Sequence, residues 1–134
     1  MPQPRTNRPV LVVEDHEDTR EMVELFLKYD GFAVRTAIHG LDALKRVEHD
    51  PPCLILLDVT MPVMDGITFA RKLRESGDRD VATAPIVLLT ALPDADASKA
   101  LKETGALDVI HKPISFDRML TVVERYCHAT RSSG

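Results

Sequence analysis

Several features that commonly mark a function are missing or scarce in this chain. It has two cysteines, Cys53 and Cys127, with neither a metal nor a redox spacing. No thiolate metal site or disulfide framework is therefore expected. Both are read as unpaired thiols, Cys53 as a small residue of an apolar run. Reduced thiols suit the cytoplasm. Positive charge is in deficit: 17 Lys and Arg face 21 Asp and Glu, a net charge of −4. That argues against general attraction to nucleic acid or to an anionic membrane. No apolar stretch approaches the roughly 20 residues of a membrane-spanning helix. The polar segment Met1 to Arg8 carries no apolar signal core. No repeat or low-complexity segment appears, and no helix-turn-helix or basic patch follows the last predicted helix.

What is present suits one ordinary globular domain. The 134 residues are 44% hydrophobic and 28% charged, enough for a real core without disulfides or structural metals. Residues 1–8 and 129–134 are expected to be flexible, leaving 9–128 as the domain. Met1 and the short tail are what a stand-alone protein would show. Five short apolar runs stand out: Val10–Val13, Phe32–Val34 (extending toward Ala37), Leu54–Leu57, Ile86–Leu89 and Val109–Ile110. The first, third and fourth are nearly continuous Val, Leu and Ile, the pattern of strands buried on both faces.

Helical patterns fill the gaps. Met22, Val23, Phe26 and Tyr29 share one face, with Asp18 as N-cap, Glu21 completing a capping box and Gly31 past the end. Leu41, Leu44 and Val47 share a second face, and Ile67, Ala70 and Leu73 a third. Ala97, Ala100 and Leu101 line a fourth, stopped by Gly105. Phe116, Leu120, Val123 and Tyr126 (or Cys127) line the fifth, with Ser115 as N-cap. Five strands alternating with five helices predict an α/β domain, a doubly wound parallel sheet with helices on both faces.

In such a sheet, ligands bind beyond the carboxyl ends of the strands. Glu14 and Asp15 follow the first apolar run, Asp58 the third, Thr90 the fourth, and Lys112 comes just past the fifth. Converging carboxylates repel one another unless a cation joins them. All-oxygen ligands suit Mg²⁺, and no Cys or His cluster invites zinc. A carboxylate nucleophile beside a metal, a hydroxyl and an ammonium is equipped for phosphoryl transfer. Each residue has an ordinary alternative as a solvated acid, a turn cap, a strand threonine or a surface lysine. Their joint arrival at one sheet edge carries the inference.

The segment Leu56-Leu57-Asp58-Val59-Thr60-Met61-Pro62-Val63-Met64-Asp65-Gly66 resembles the phosphorylation motif of bacterial response-regulator receiver domains. So do Val12-Val13-Glu14-Asp15-His16-Glu17-Asp18, Leu88-Leu89-Thr90-Ala91 and the stretch from Gly105 to Ile114. The resemblance spans about Pro9 to Tyr126. It implies a flavodoxin-like sheet of order 2-1-3-4-5 with five helices. It makes Asp58 the phospho-acceptor and a metal ligand, Asp15 a direct Mg²⁺ ligand and Glu14 a ligand largely through water. The backbone carbonyl of Thr60 is a further ligand. Thr90 and Lys112 serve the phosphoryl oxygens, and a cis peptide precedes Pro113. The implied partners are a histidine kinase or histidine phosphotransfer protein, near His16 and Pro113–Ile114, and a downstream protein. The output face includes Lys99, Lys102, Val109 and Arg118. The chain would not be an enzyme beyond catalysing its own phosphorylation and dephosphorylation. No nucleic-acid or membrane partner is expected.

This sequence departs from the pattern in places. Glu14 replaces the more frequent aspartate, and Val109 holds the usual place of an aromatic switch residue. Thr60 and Leu92 occupy positions that tune hydrolysis, and Leu92 offers no group to orient water. The alternative reading is a degenerate receiver acting as a scaffold. A haloacid-dehalogenase-type phosphatase would need a second Asp where Thr60 stands. A nucleotide- or flavin-binding module would not place Glu14, Asp15, Glu17 and Asp18 after its first strand.

Overall fold

A computed structural model describes residues 8–59 and 65–127 of the chain. The strands are β1 (Val10–Val13), β2 (Val34–Ala37), β3 (Leu54–Asp58), β4 (Ile86–Thr90) and β5 (Asp108–His111). The helices are α1 (Glu17–Tyr29), α2 (Gly40–His49), α3 (Gly66–Arg74), α4 (Arg79–Ala82), α5 (Asp94–Thr104) and α6 (Phe116–Tyr126). All strand pairs are parallel, in the order β2-β1-β3-β4-β5. The order reverses between β1 and β3, so a crevice opens beyond their carboxyl ends.

The continuous apolar strands work because both faces are covered. Leu11, Val13, Ile55, Leu57, Ile86 and Leu88 point to one side, where Ala43 and Val47 of α2, Phe69 and Leu73 of α3 and Ala100 of α5 meet them. Val10, Val12, Leu54, Leu56, Val87 and Leu89 point to the other, against Val23 and Leu27 of α1 and Met119, Val122 and Val123 of α6. Alternate residues thus serve opposite layers. The edge strand β2 places the exposed cation Arg35 among its buried residues, which discourages pairing with another sheet.

Several local expectations need correction. Among the described residues there are six helices, not five: Asp78 accepts from the Asp80 N–H at 2.9 Å and starts the four-residue α4. Arg74 holds that turn by donating to the carbonyls of Ala82 (3.0 Å) and Ala84 (2.8 Å). The N-cap of α1 is His16 rather than Asp18; its Nδ1 accepts from the Thr19 N–H at 3.4 Å. The buried stripe of α1 runs through Val23 and Leu27, leaving Tyr29 87% exposed beside Phe116. Leu41 is likewise exposed. Ser115 does cap α6, accepting from the Arg118 N–H at 3.3 Å, and Gly105 ends α5 with φ 71°, a left-handed conformation that favours glycine.

The largest correction concerns the thiols. Cys53 and Cys127 are bonded as a disulfide, with Cα atoms 5.2 Å apart. At the N-terminal end, Arg8 pairs with Asp80 at 3.0 Å. Residues 1–7 and the expected tail, 129–134, lie outside the described residues.

Candidate functional site at the carboxyl edge of the sheet

Glu14 continues β1 by one rung: its N–H donates to the carbonyl of Ala37 at 3.1 Å. The strand alternation that buries Val12 against α1 and α6 carries Glu14 inward, and it is wholly buried. Asp15, next in the chain, is exposed. Asp58 is the last residue of β3 and only 3% exposed. Ligand oxygens of Glu14, Asp15 and Asp58 all lie within 4.8 Å of one another.

The acidic loop is held from below. Arg20, one turn into α1, donates to the carbonyls of Glu14 (3.1 Å) and Asp15 (3.4 Å). Glu14 Oε2 accepts from the His16 N–H at 3.2 Å. The opposite wall depends on Gly66. Its N–H donates to the Val59 carbonyl at 3.1 Å. A Cβ at that position would lie 2.9 Å from the Val59 Cα and 3.4 Å from the Asp58 carbonyl oxygen. Only glycine fits there without pushing the Val59 backbone, which directly follows Asp58. Asp65 then caps α3, accepting from the Thr68 N–H at 2.8 Å.

Lys112 follows β5 directly, and its N–H donates to the Thr90 carbonyl at 2.8 Å. The peptide to Pro113 is cis. Lys112 Nζ lies 2.8 Å from Glu14 Oε1 and 3.6 Å from Asp58 Oδ2. The ammonium is thus nearer the buried glutamate than the aspartate. Glu14 Oε1 nevertheless lacks a well-directed hydrogen bond, although it is fully buried. Burial pushes the Glu14 carboxyl above its ordinary 4.5; Lys112 opposes this and the neighbouring Asp58 reinforces it.

Thr90, the last residue of β4, is 1% exposed. Its hydroxyl oxygen accepts from the Leu92 N–H at 2.9 Å. That bond uses an oxygen lone pair and leaves the hydroxyl proton available for donation.

Three carboxylates and one ammonium leave a surplus of negative charge in a site that is largely buried. An all-oxygen donor set of three carboxylates, two of them buried, opposed by one ammonium fits a hard divalent cation of the Mg²⁺ type. Thr60, expected to add its carbonyl, lies outside the described residues, as do 61–64 of the same motif. The structure therefore brings Glu14, Asp15, Asp58 and Lys112 together, with Thr90 at the end of the strand beside β3.

Two supporting residues escaped the sequence reading. Arg20 carries no motif; its position one turn past the His16 cap is the only sequence cue. His111 pairs with β4 residue Thr90 in register and places Nε2 3.8 Å from Asp94 at the start of α5. Of the expected output residues, Lys99 and Lys102 are exposed on α5. Arg118 is occupied, donating to Asp108 Oδ1 and to the Val109 carbonyl, both at 3.1 Å. Val109 packs partly buried against the α2–α3–α5 side of the core.

The family model described as the response regulator receiver domain matches residues 10–124. The transcriptional regulatory protein CseB of Streptomyces coelicolor is 36% identical over 124 residues, covering 90% of this chain and 51% of that protein. The chain spans about half the length of the curated relatives it matches. The solved structure of Vibrio cholerae chemotaxis protein CheY4 superposes with a TM-score of 0.81 at 30% identity, covering 89% of this chain and 98% of that one. The receiver domain of a sensor histidine kinase from Pseudomonas aeruginosa PAO1, solved with a magnesium ion in its active-site cleft, shares the fold with a TM-score of 0.82 at 24% identity. It covers 91% of this chain and 98% of that chain.

Proposed function

The chain belongs to the response regulator receiver domain family, and from that premise we propose that Asp58 accepts a phosphoryl group from a phosphohistidine donor in a Mg²⁺-dependent reaction. The observation that carries this reading is the convergence of Glu14, Asp15 and Asp58 within 4.8 Å, with Lys112 Nζ 3.6 Å from Asp58. Glu14, Asp15 and Asp58 would hold Mg²⁺, with the Thr60 carbonyl as a further ligand. The ion, when bound, supplies positive charge for the phosphoryl oxygens.

The chain's own groups do the rest. An Asp58 carboxylate oxygen attacks phosphorus; the phosphorus–nitrogen bond of the donor breaks, and the imidazole leaves and takes up a proton. Lys112 screens the oxygens of the transferred group, and Thr90 donates its free hydroxyl proton to one of them. Thr90 can donate to the phosphoryl group while its oxygen accepts from the Leu92 N–H, so a shift of Thr90 toward that group carries over to the loop ahead of α5. The added charge thereby biases the face formed by α5, β5 and α6 between two states. Hydrolysis reverses the modification when water attacks the same phosphorus and releases the Asp58 carboxylate and phosphate. Leu92 contributes no group to orient that water, which favours a long-lived phosphoprotein.

In this reading the chain is not an enzyme toward other substrates; it catalyses only its own phosphorylation and dephosphorylation. Its donor is a histidine kinase or phosphotransfer protein approaching over the exposed His16 and Pro113, and its output partner is a protein. No nucleic-acid contact is proposed for these 134 residues. No helix among the described residues is long and apolar enough to cross a membrane, in keeping with a cytoplasmic role. Incubation with phosphoramidate should add one phosphoryl group in Mg²⁺ and none in EDTA, read by intact mass. Equal uptake in EDTA would overturn the metal-dependent reading.

A further inference from the structure

We propose that Cys53 and Cys127 form a reversible redox site that latches the end of α6 to the start of β3. The two residues are 74 positions apart in sequence, yet their Cα atoms sit at 5.2 Å, within the range a disulfide spans without backbone movement. Both backbones are anchored independently of the sulfurs. Cys53 N–H donates to the Pro9 carbonyl at 2.9 Å, pinning it between β1 and β3. Cys127 N–H donates to the Val123 carbonyl at 2.7 Å, closing the last turn of α6. The fold therefore presents the pair ready-aligned, whichever oxidation state it holds.

The two residues differ in exposure. Cys127 is 1% exposed and sits in the α1–α6 side of the core, while Cys53 is partly exposed at its rim. That asymmetry assigns an order to the chemistry. Cys53 thiolate attacks a small-molecule disulfide such as oxidised glutathione, releasing one glutathione thiol and forming a mixed disulfide. Cys127 thiolate then attacks the Cys53 sulfur, the mixed bond breaks, and the second glutathione leaves. The two cysteine thiols are oxidised by two electrons and the external disulfide is reduced to two thiols. Excess reduced thiol runs the sequence backward, again entering at Cys53.

The site lies at the amino end of β3, five residues or about 16 Å from Asp58 along the strand. It is separate from the phosphoryl chemistry and acts on a different element. Oxidation fixes the carboxyl end of α6, one of the helices flanking β5, to the central strand. Reduction removes that covalent tie.

The test is equilibration of the full chain in glutathione buffers from fully reduced to strongly oxidised. An acid quench, maleimide labelling under denaturing conditions and intact mass follow. The wild type should pass from two labels to none, with no lasting population of one label or of a glutathione adduct. Cys53→Ser should retain one label or a glutathione adduct throughout. Amide exchange in Val122–Tyr126 should slow in the oxidised form. Two labels in every buffer, a stable glutathione adduct on wild type, or a bond that survives the most reducing buffer would each overturn the proposal.

Discussion

Replacing Glu14 by Gln should stabilise the metal-free protein at neutral pH. Glu14 is wholly buried, and burial is the largest influence lifting its pKa above 4.5, ahead of the opposing Lys112 contact. The folded state therefore holds this proton more tightly than the unfolded chain does. As pH rises above 4.5, the unfolded chain ionises first, and stability falls until the folded-state carboxyl has also lost its proton. Glutamine removes that cost. Holding an ionised carboxylate buried with incomplete hydrogen bonding costs about 1–3 kcal/mol, and the glutamine amide keeps a polar atom there without the charge. Losing the Lys112 contact returns less than about 1 kcal/mol, because that ammonium is partly solvated and keeps Asp58 at 3.6 Å. The net gain is about 1–2 kcal/mol, or a Tm increase of about 4–8 °C for a domain of this size. Thermal melts in EDTA from about pH 4 to about pH 8 would show the gain absent at the acid end and growing upward. Saturating Mg²⁺ should erase or reverse it, because the wild-type carboxylate then has a cation. A lower Tm for Glu14→Gln in EDTA at neutral pH, or a gain equally large at the acid end, would refute the reasoning.

Further outcomes follow from the same geometry. Gly66→Ala should destabilise the fold by about 1–3 kcal/mol in denaturant titrations and slow phosphoryl uptake, because its Cβ would press on the Val59 Cα at 2.9 Å. Unchanged stability and uptake would show that this wall yields freely. Arg20→Ala, which frees the carbonyls of Glu14 and Asp15, should weaken Mg²⁺ binding by about tenfold or more in calorimetry. For the latch, the separation of 74 residues corresponds to about 4.5 kcal/mol on the chain-entropy relation. The oxidised wild type should therefore melt well above its reduced form, and Cys127→Ser should show no such dependence on reductant.

Long-range order was more legible in the sequence than local ends or tertiary pairings. Val10–Val13, Leu54–Leu57 and Ile86–Leu89 read as strands because burial on both faces leaves no polar alternation to confuse the pattern. Asp58 and Thr90 were placed at strand ends for the same reason. Helix α4 escaped because four residues are too few to show a period. On α1, Met22, Val23 and Phe26 do pack on the core, but the stripe is completed by Leu27 rather than by Tyr29, which lies at the helix end and is exposed. The cap at His16 was missed because an imidazole nitrogen stood in for the usual oxygen acceptor. Lys112 lies within 3.6 Å of Asp58, but its closer contact with Glu14 depends on how far two side chains reach, which the sequence does not show. The Cys53–Cys127 bond was read as two free thiols because pairing across 74 residues is set by how α6 docks, which spacing cannot show.

The most direct test of the central claim compares wild type with Asp58→Asn by intact mass after incubation with phosphoramidate and Mg²⁺. One phosphoryl adduct is expected on the wild type and none on the variant, with both proteins folded by circular dichroism. A full adduct on Asp58→Asn would contradict it and move the acceptor to another residue.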